Sequence, residues 1–148
     1  MSLTVAEECL SAVVRTIRDL HLDGVHDDEI QPHDTPPEWN EFFPRGIAIV
    51  PLEERELPGT NQSEDYGYPF LVVRTTGGGK GRDEMTGTQQ RWRDAVRKAF
   101  NNKRIGGVSG GRLWICTVDS GDYLSRRPWQ DNHSLSSLIV TCWARETR

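Results

Sequence analysis

The sequence predicts an α+β domain: a mostly antiparallel sheet of four to five strands with two helices packed on one face. Three observations predict it. Two segments repeat apolar residues at steps of three and four, the period of a helix with one buried stripe. Several others are short, rich in β-branched and aromatic residues, and bounded by turn-forming residues, as strands are. The order is helix, short strand, two strands, helix, two strands, and consecutive strands favour antiparallel pairing over crossovers. A chain of 148 residues has room for one domain, so 1–148 reads as a single unit.

The first helix is predicted over 4–21. Thr4-Val5-Ala6-Glu7 has the shape of a capping box, in which each end residue satisfies the other's backbone N–H. Val5, Cys9, Leu10, Val13, Val14, Ile17 and Leu20 form one stripe, and Gly24 ends the element. The segment 23–46 is acidic and interrupted by Pro36-Pro37, with a short strand at Ile30–His33. Its Trp39, Phe42 and Phe43 either fold back over the core or dock on a partner. Gly46–Leu52 is a strand, 53–66 a polar loop with the turn pair Pro58-Gly59, and Tyr68–Thr75 a second strand. After the glycine-rich loop Gly77–Gly81, Thr86 or Thr88 caps the second helix. Trp92, Ala95, Val96, Ala99 and Phe100 give its buried stripe, and it ends near Asn101–Asn102. Arg93, Arg97 and Arg104 line another face. Ile105–Gly111 is a turn-rich connector, Arg112–Val118 a third strand, and 119–133 a long polar loop. The last strand is Leu135–Arg145, with Leu138, Val140, Cys142 and Ala144 on one face and Ile139, Thr141, Trp143 and Arg145 on the other.

Composition narrows the function classes. Lys plus Arg is 18 and Asp plus Glu is 22, a net charge of −4, which argues against a protein that coats DNA. No apolar run approaches the length of a membrane span, and no basic-then-apolar signal segment opens the chain, so an intracellular, loop-rich domain is expected. Cys9, Cys116 and Cys142 are odd in number and form no C-x-x-C, so all three read as small buried hydrophobes. Asn61-Gln62-Ser63 and Asn132-His133-Ser134 match the glycosylation pattern and mark polar, exposed loops.

The charge is unevenly spread. Residues 1–66 hold 15 acids and 4 bases, net −11, whereas residues 67–148 hold 7 acids and 14 bases, net +7. Arg outnumbers Lys 15 to 3, and Arg is the cation that interfaces favour. One reading is an arginine-favouring composition with solvated faces. The other is a subunit with an acidic and a basic side, which joins copies head to tail and closes into a ring if the rotation allows.

Motifs for chemistry fail on context. Gly107-Val108-Ser109-Gly110-Gly111 matches G-x-S-x-G, but a nucleophile elbow needs a strand before the serine and a helix after it, and here the order is reversed. Gly77–Gly81 sits where a phosphate loop would, yet Lys80 is followed by Gly81 and Arg82, so the magnesium-binding hydroxyl is missing. His21, Asp23, His26, Asp27, Asp28 and His33 cluster without any metal-site spacing. Arg93, Arg97, Lys98, Lys103, Arg104, Arg126 and Arg127 could face phosphates, but no helix-turn-helix or RNP sequence accompanies them. No catalytic, cofactor or metal site is therefore expected, and the protein is not read as an enzyme.

The layout carries a resemblance. An N-terminal helix and strands lead to GTNQSEDYGYPFLVV, then a helix RWRDAVRKAF running into NNKRIGGV, and a closing SLSSLIVTCWARETR. This resembles the small neck proteins of tailed bacteriophages, most nearly the tail terminator (tail completion) family. The resemblance implies an α+β subunit that forms a ring, hexameric in that family, at the virion's head–tail junction after assembly in the host cytoplasm. Such a ring caps the tail tube, stops its polymerisation and docks the tail to the head. Its implied partners are itself, the major tail tube protein and a head-completion or connector protein, with DNA passing through the lumen without sequence-specific binding and no membrane involved. A head-closure or adaptor protein, or a small nucleic-acid-binding module, is the alternative. On this reading Arg93, Arg97 and Arg104 meet Glu53, Glu54 and Glu56 of a neighbour. Gly78, Lys80 and Arg82 of the loop 77–87, with Asn61, Glu64 and Asp65 of the loop 53–66, contact tube or head.

Overall fold

The computed structural model describes residues 4–33, 46–57, 63–76, 82–108, 113–120, 125–129 and 133–147. Its elements are helices α1 (Val5–Asp19) and α2 (Arg82–Phe100) and strands β1 (Ile30–Pro32), β2 (Gly46–Pro51), β3 (Arg55–Leu57), β4 (Ser63–Thr76), β5 (Leu113–Ser120), β6 (Ser125–Trp129) and β7 (His133–Thr147). The fold is α+β, as predicted.

The capping box forms: the Thr4 N–H donates to Glu7 Oε1 at 3.2 Å and the Glu7 N–H donates to Thr4 Oγ1 at 3.2 Å. Thr4→Ala should therefore lower stability by about 1 kcal/mol, read as a drop of about 2–4 °C in a thermal melt. α1 stops before the predicted end. The Leu20 and His21 N–H groups bond back to the Ile17 and Arg18 carbonyls, and His21 takes φ +49°, so the chain leaves the helix three residues before Gly24. Arg18 then holds α1 to the sheet, donating from Nε and Nη2 to the Ile30 carbonyl at 3.2 and 2.7 Å.

The main path of the sheet is β1-β2-β4-β7-β5. Among the described strands only β1 and β2 run parallel; the other pairs are antiparallel. β4 and β7 form the central ladder, from Ser63↔Thr147 to Thr76↔Ser134. The outer edge of β4 is shared between β2, opposite residues 70–75, and β3, opposite 65–67. That of β7 is shared between β5 and β6. Two predicted polar loops are thus partly strand. β3 falls within 53–66 and β6 within 119–133. A ladder is made of backbone hydrogen bonds and needs no apolar side chains, and long central strands offer unpaired N–H and C=O groups along their ends.

α2 begins at Arg82, before either predicted cap. Thr88 is buried within the helix instead, and Asp83 and Glu84 lie in the first turn, where the helix dipole favours acids. Past Phe100 the chain turns at Asn102, φ +57°. Lys103 and Cys116 of β5 then pair, the Cys116 N–H donating to the Lys103 carbonyl at 2.8 Å.

Both helices pack on one face. Cys9, Val13 and Ile17 of α1 and Trp92, Val96 and Phe100 of α2 meet Ile47, Ile49, Phe70, Val72, Leu138, Val140, Cys142 and Ala144 of the sheet. The predicted alternation of β7 holds. Its other face adds Ile139 to a smaller cluster with Val50, Leu71 and Val73. Gly67 faces Trp143 across the ladder, and a Cβ at Gly67 would lie 2.7 Å from the indole ring, so glycine is what lets the ring lie over β4. The three cysteines are buried and free. Cys116 Sγ lies 3.8 Å from Cys142 Sγ, and the Cys142 thiol is pushed up by Cys116, then Cys9, then burial, which holds it as an uncharged core group.

Candidate assembly surface

The basic residues of α2 divide between inside and outside. Arg93 is half-buried and donates from Nη1 to the Ser137 carbonyl at 2.6 Å, tying α2 to β7. Burial, and then the charge of Arg97, draw its pKa down. Arg97 is exposed one turn later, and exposed Lys98 pairs with Asp94 at 2.9 Å. Arg104 is exposed but lies beyond the end of α2, beside Lys103 and therefore beside β5. The predicted stripe of Arg93, Arg97 and Arg104 is thus one internal anchor and two surface cations, because the 3.6-residue period stops at Phe100.

The predicted acidic partners lie across the sheet. Glu53 and Glu54 are exposed after β2, on a segment pinned by the Leu52 N–H donating to the Pro69 carbonyl at 2.9 Å. Glu56 stands in β3, opposite Tyr66. β2 and β5 are separated by β4 and β7, three strand spacings, or about 14 Å. The acids beside β2 and the bases beside β5 thus belong to opposite sides of one subunit.

Of the predicted loop contacts, Glu64 and Asp65 stand in β4 opposite Glu146 and Arg145, and Arg82 is the first residue of α2; none of the three is in a loop. Asn61, Gly78 and Lys80 lie outside the described residues, as do Ser109, Trp39, Phe42 and Phe43. Among the described residues no three His, Cys, Asp or Glu side chains are placed to hold a metal ion, and no helix is long and apolar enough to cross a membrane.

Sequence reasoning missed Arg74. It follows an apolar run within the strand predicted over Tyr68–Thr75, a placing that assigns it no role, and it is 3% exposed. Its Nη2 donates to the Asp23 carbonyl at 2.6 Å, while its buried Nε has no hydrogen-bond partner. The available signal was a cation directly following five apolar residues, since a strand apolar at successive positions is buried on both faces and can enclose the residue that ends it.

No family model and no curated protein matches the chain. Among solved structures it is similar to a chain of the virion of a native gene transfer agent particle. The two share 16% identity at a TM-score of 0.62, over 98% of this chain and 100% of that one. At this identity the likeness is one of fold, and it runs the length of both chains.

Proposed function

We propose that this chain is a structural subunit of a phage-like virion, and specifically a ring-forming protein of the head–tail joint. The observation that carries the proposal is the fold shared from end to end with a chain of a virion particle. The separation of Glu53 and Glu54, which follow β2, from Arg104, which lies beside β5, supports it, because a subunit with complementary charges on opposite sides can repeat head to tail. In this role the protein works by steric and interfacial contact, without catalysis or a cofactor. The ring, a hexamer, caps the tail tube and stops its growth. It then docks on a head-completion or connector protein, and DNA passes through its lumen.

Light scattering with negative-stain imaging of the purified chain tests the ring. Binding to tail tubes rather than to DNA-filled heads tests the side of the joint. Rings of about six copies that cap tubes are expected for this closed assembly. Capture by heads alone would assign the head-side role, and a lone monomer that binds neither would overturn the proposal. Arg97→Glu should leave the unfolding free energy within about 0.5 kcal/mol of the parent, as for surface substitutions generally, while shifting the mass toward monomer. Rings that persist unchanged would remove Arg97 from the interface.

A further inference from the structure

The exit of α1, the end of β4 and the middle of α2 enclose an open cavity of about 190 Å³. Arg74, Arg91, His21, Asp23, Thr88 and Trp92 are among its walls. Arg74 contributes the buried Nε with no acceptor, a rarity in a folded protein, where buried donors are almost always satisfied. Arg91 is exposed at the rim and donates from Nη2 to Thr88 Oγ1 at 3.3 Å. Burial draws the Arg74 pKa down to about 10, with the Asp23 carboxylate opposing the shift and the Arg91 charge adding to it. Among the described residues two guanidinium groups thus stand against one carboxylate, which leaves about one positive charge in excess beside an open cavity.

We propose that this cavity is an anion site for a single carboxylate, donated by an acidic side chain of a neighbouring copy of the chain. A carboxylate entering the cavity neutralises the excess charge with one unit, and a small shift of the buried Arg74 side chain gives its Nε the acceptor it lacks. Guanidinium groups recognise it through paired, charge-assisted hydrogen bonds. The volume equals that of about six water molecules, which admits the end of an Asp or Glu side chain. The chain carries its own donors, since 15 of its 22 acids fall in residues 1–66. The donor's identity rests on the self-assembly proposed above; the anion site does not.

The test is a titration of the ¹⁵N-labelled chain with sodium acetate, with sodium chloride at equal ionic strength as the control and inorganic phosphate as a third arm. The assigned Arg74 Nε–Hε resonance should shift saturably with acetate and stay put with chloride. Arg91→Ala should weaken the acetate effect about tenfold, the loss of one charge-assisted hydrogen bond, with the amide spectrum still that of a folded chain. The same variant should carry less ring and more monomer at equal concentration. No saturable response to acetate, or a response to phosphate alone, overturns the carboxylate site. Acetate binding weakened by Arg91→Ala with rings unchanged overturns the neighbouring copy as donor. If the parent chain forms no ring at any concentration, the assembly reading and the neighbour fall together, while the acetate titration still decides the site.

Discussion

Trp92→Ala should cost about 3–5 kcal/mol of folding free energy, a large share of the 5–15 kcal/mol typical of a domain. Trp92 is among the largest fully buried side chains and lies near the middle of α2, at the start of its buried stripe. Its Nε1–H donates to Ser136 Oγ at 3.0 Å and to Gln89 Oε1 at 2.5 Å, and Ser136 Oγ in turn donates to Gln89 Oε1 at 2.6 Å. Truncation would open a cavity and also take the indole donor from a closed three-residue network that joins α2 to β7. Trp92→Phe separates the two effects, keeping most of the volume and losing the donor, so it should cost about 1–3 kcal/mol. Urea unfolding of both variants gives the values. A loss below about 1 kcal/mol for the alanine variant, far under the range for a buried aromatic, would mean that α2 is not held through Trp92.

Gly46→Ala should cost about 2–5 kcal/mol, the sum of backbone strain and overpacking. Gly46 begins β2 with φ +114°, a conformation closed to side-chain-bearing residues. A Cβ there would lie 2.5 Å from the Glu29 carbonyl oxygen, and that atom belongs to the backbone leading into β1. The parallel β1–β2 pairing starts one residue later, at Ile30↔Ile47, so relief of the clash would pull the strands apart. Gly106→Ala is the matched control: a Cβ there meets nothing within 4 Å, and the change should stay within about 0.5 kcal/mol. Thermal melts of the pair should differ in midpoint by several degrees. Equal midpoints would show that the Glu29 carbonyl moves aside freely.

Elements that bury a regular stripe were legible in the sequence. α1 and β7 could be read because their apolar residues repeat with a fixed period against a polar background. β3 and β6 could not, because REL and SRRPW carry no such period; they are strands by virtue of the backbone edges that β4 and β7 present to them. The start of α2 was obscured by Thr86 and Thr88, good caps by residue type, one of which the tertiary fold buries. For the surface, charge counting separates an acidic first part of the chain from a basic second part. It could not tell that Arg93 is committed to the Ser137 carbonyl or that Arg74 is enclosed, since both depend on contacts 44 to 51 residues away along the chain.

The β4–β7 ladder has a kinetic consequence. It joins residues separated by 58 positions at one end, Thr76 to Ser134, and by 84 at the other, Ser63 to Thr147. The chain must close that long loop before the first pair forms, and α2, β5 and β6 all lie inside it. Local helical turns form in well under a millisecond, but they have no sheet to pack on until the two central strands meet. Loop-closure entropy is spent early and returned only as the ladder zips, which places folding in the slow, millisecond-to-second regime of nonlocal topologies. The local pairs β3–β4 and β6–β7 need no such encounter, but the two halves of the sheet and the helices across them acquire their lasting contacts late, on a schedule set by the meeting of β4 with β7.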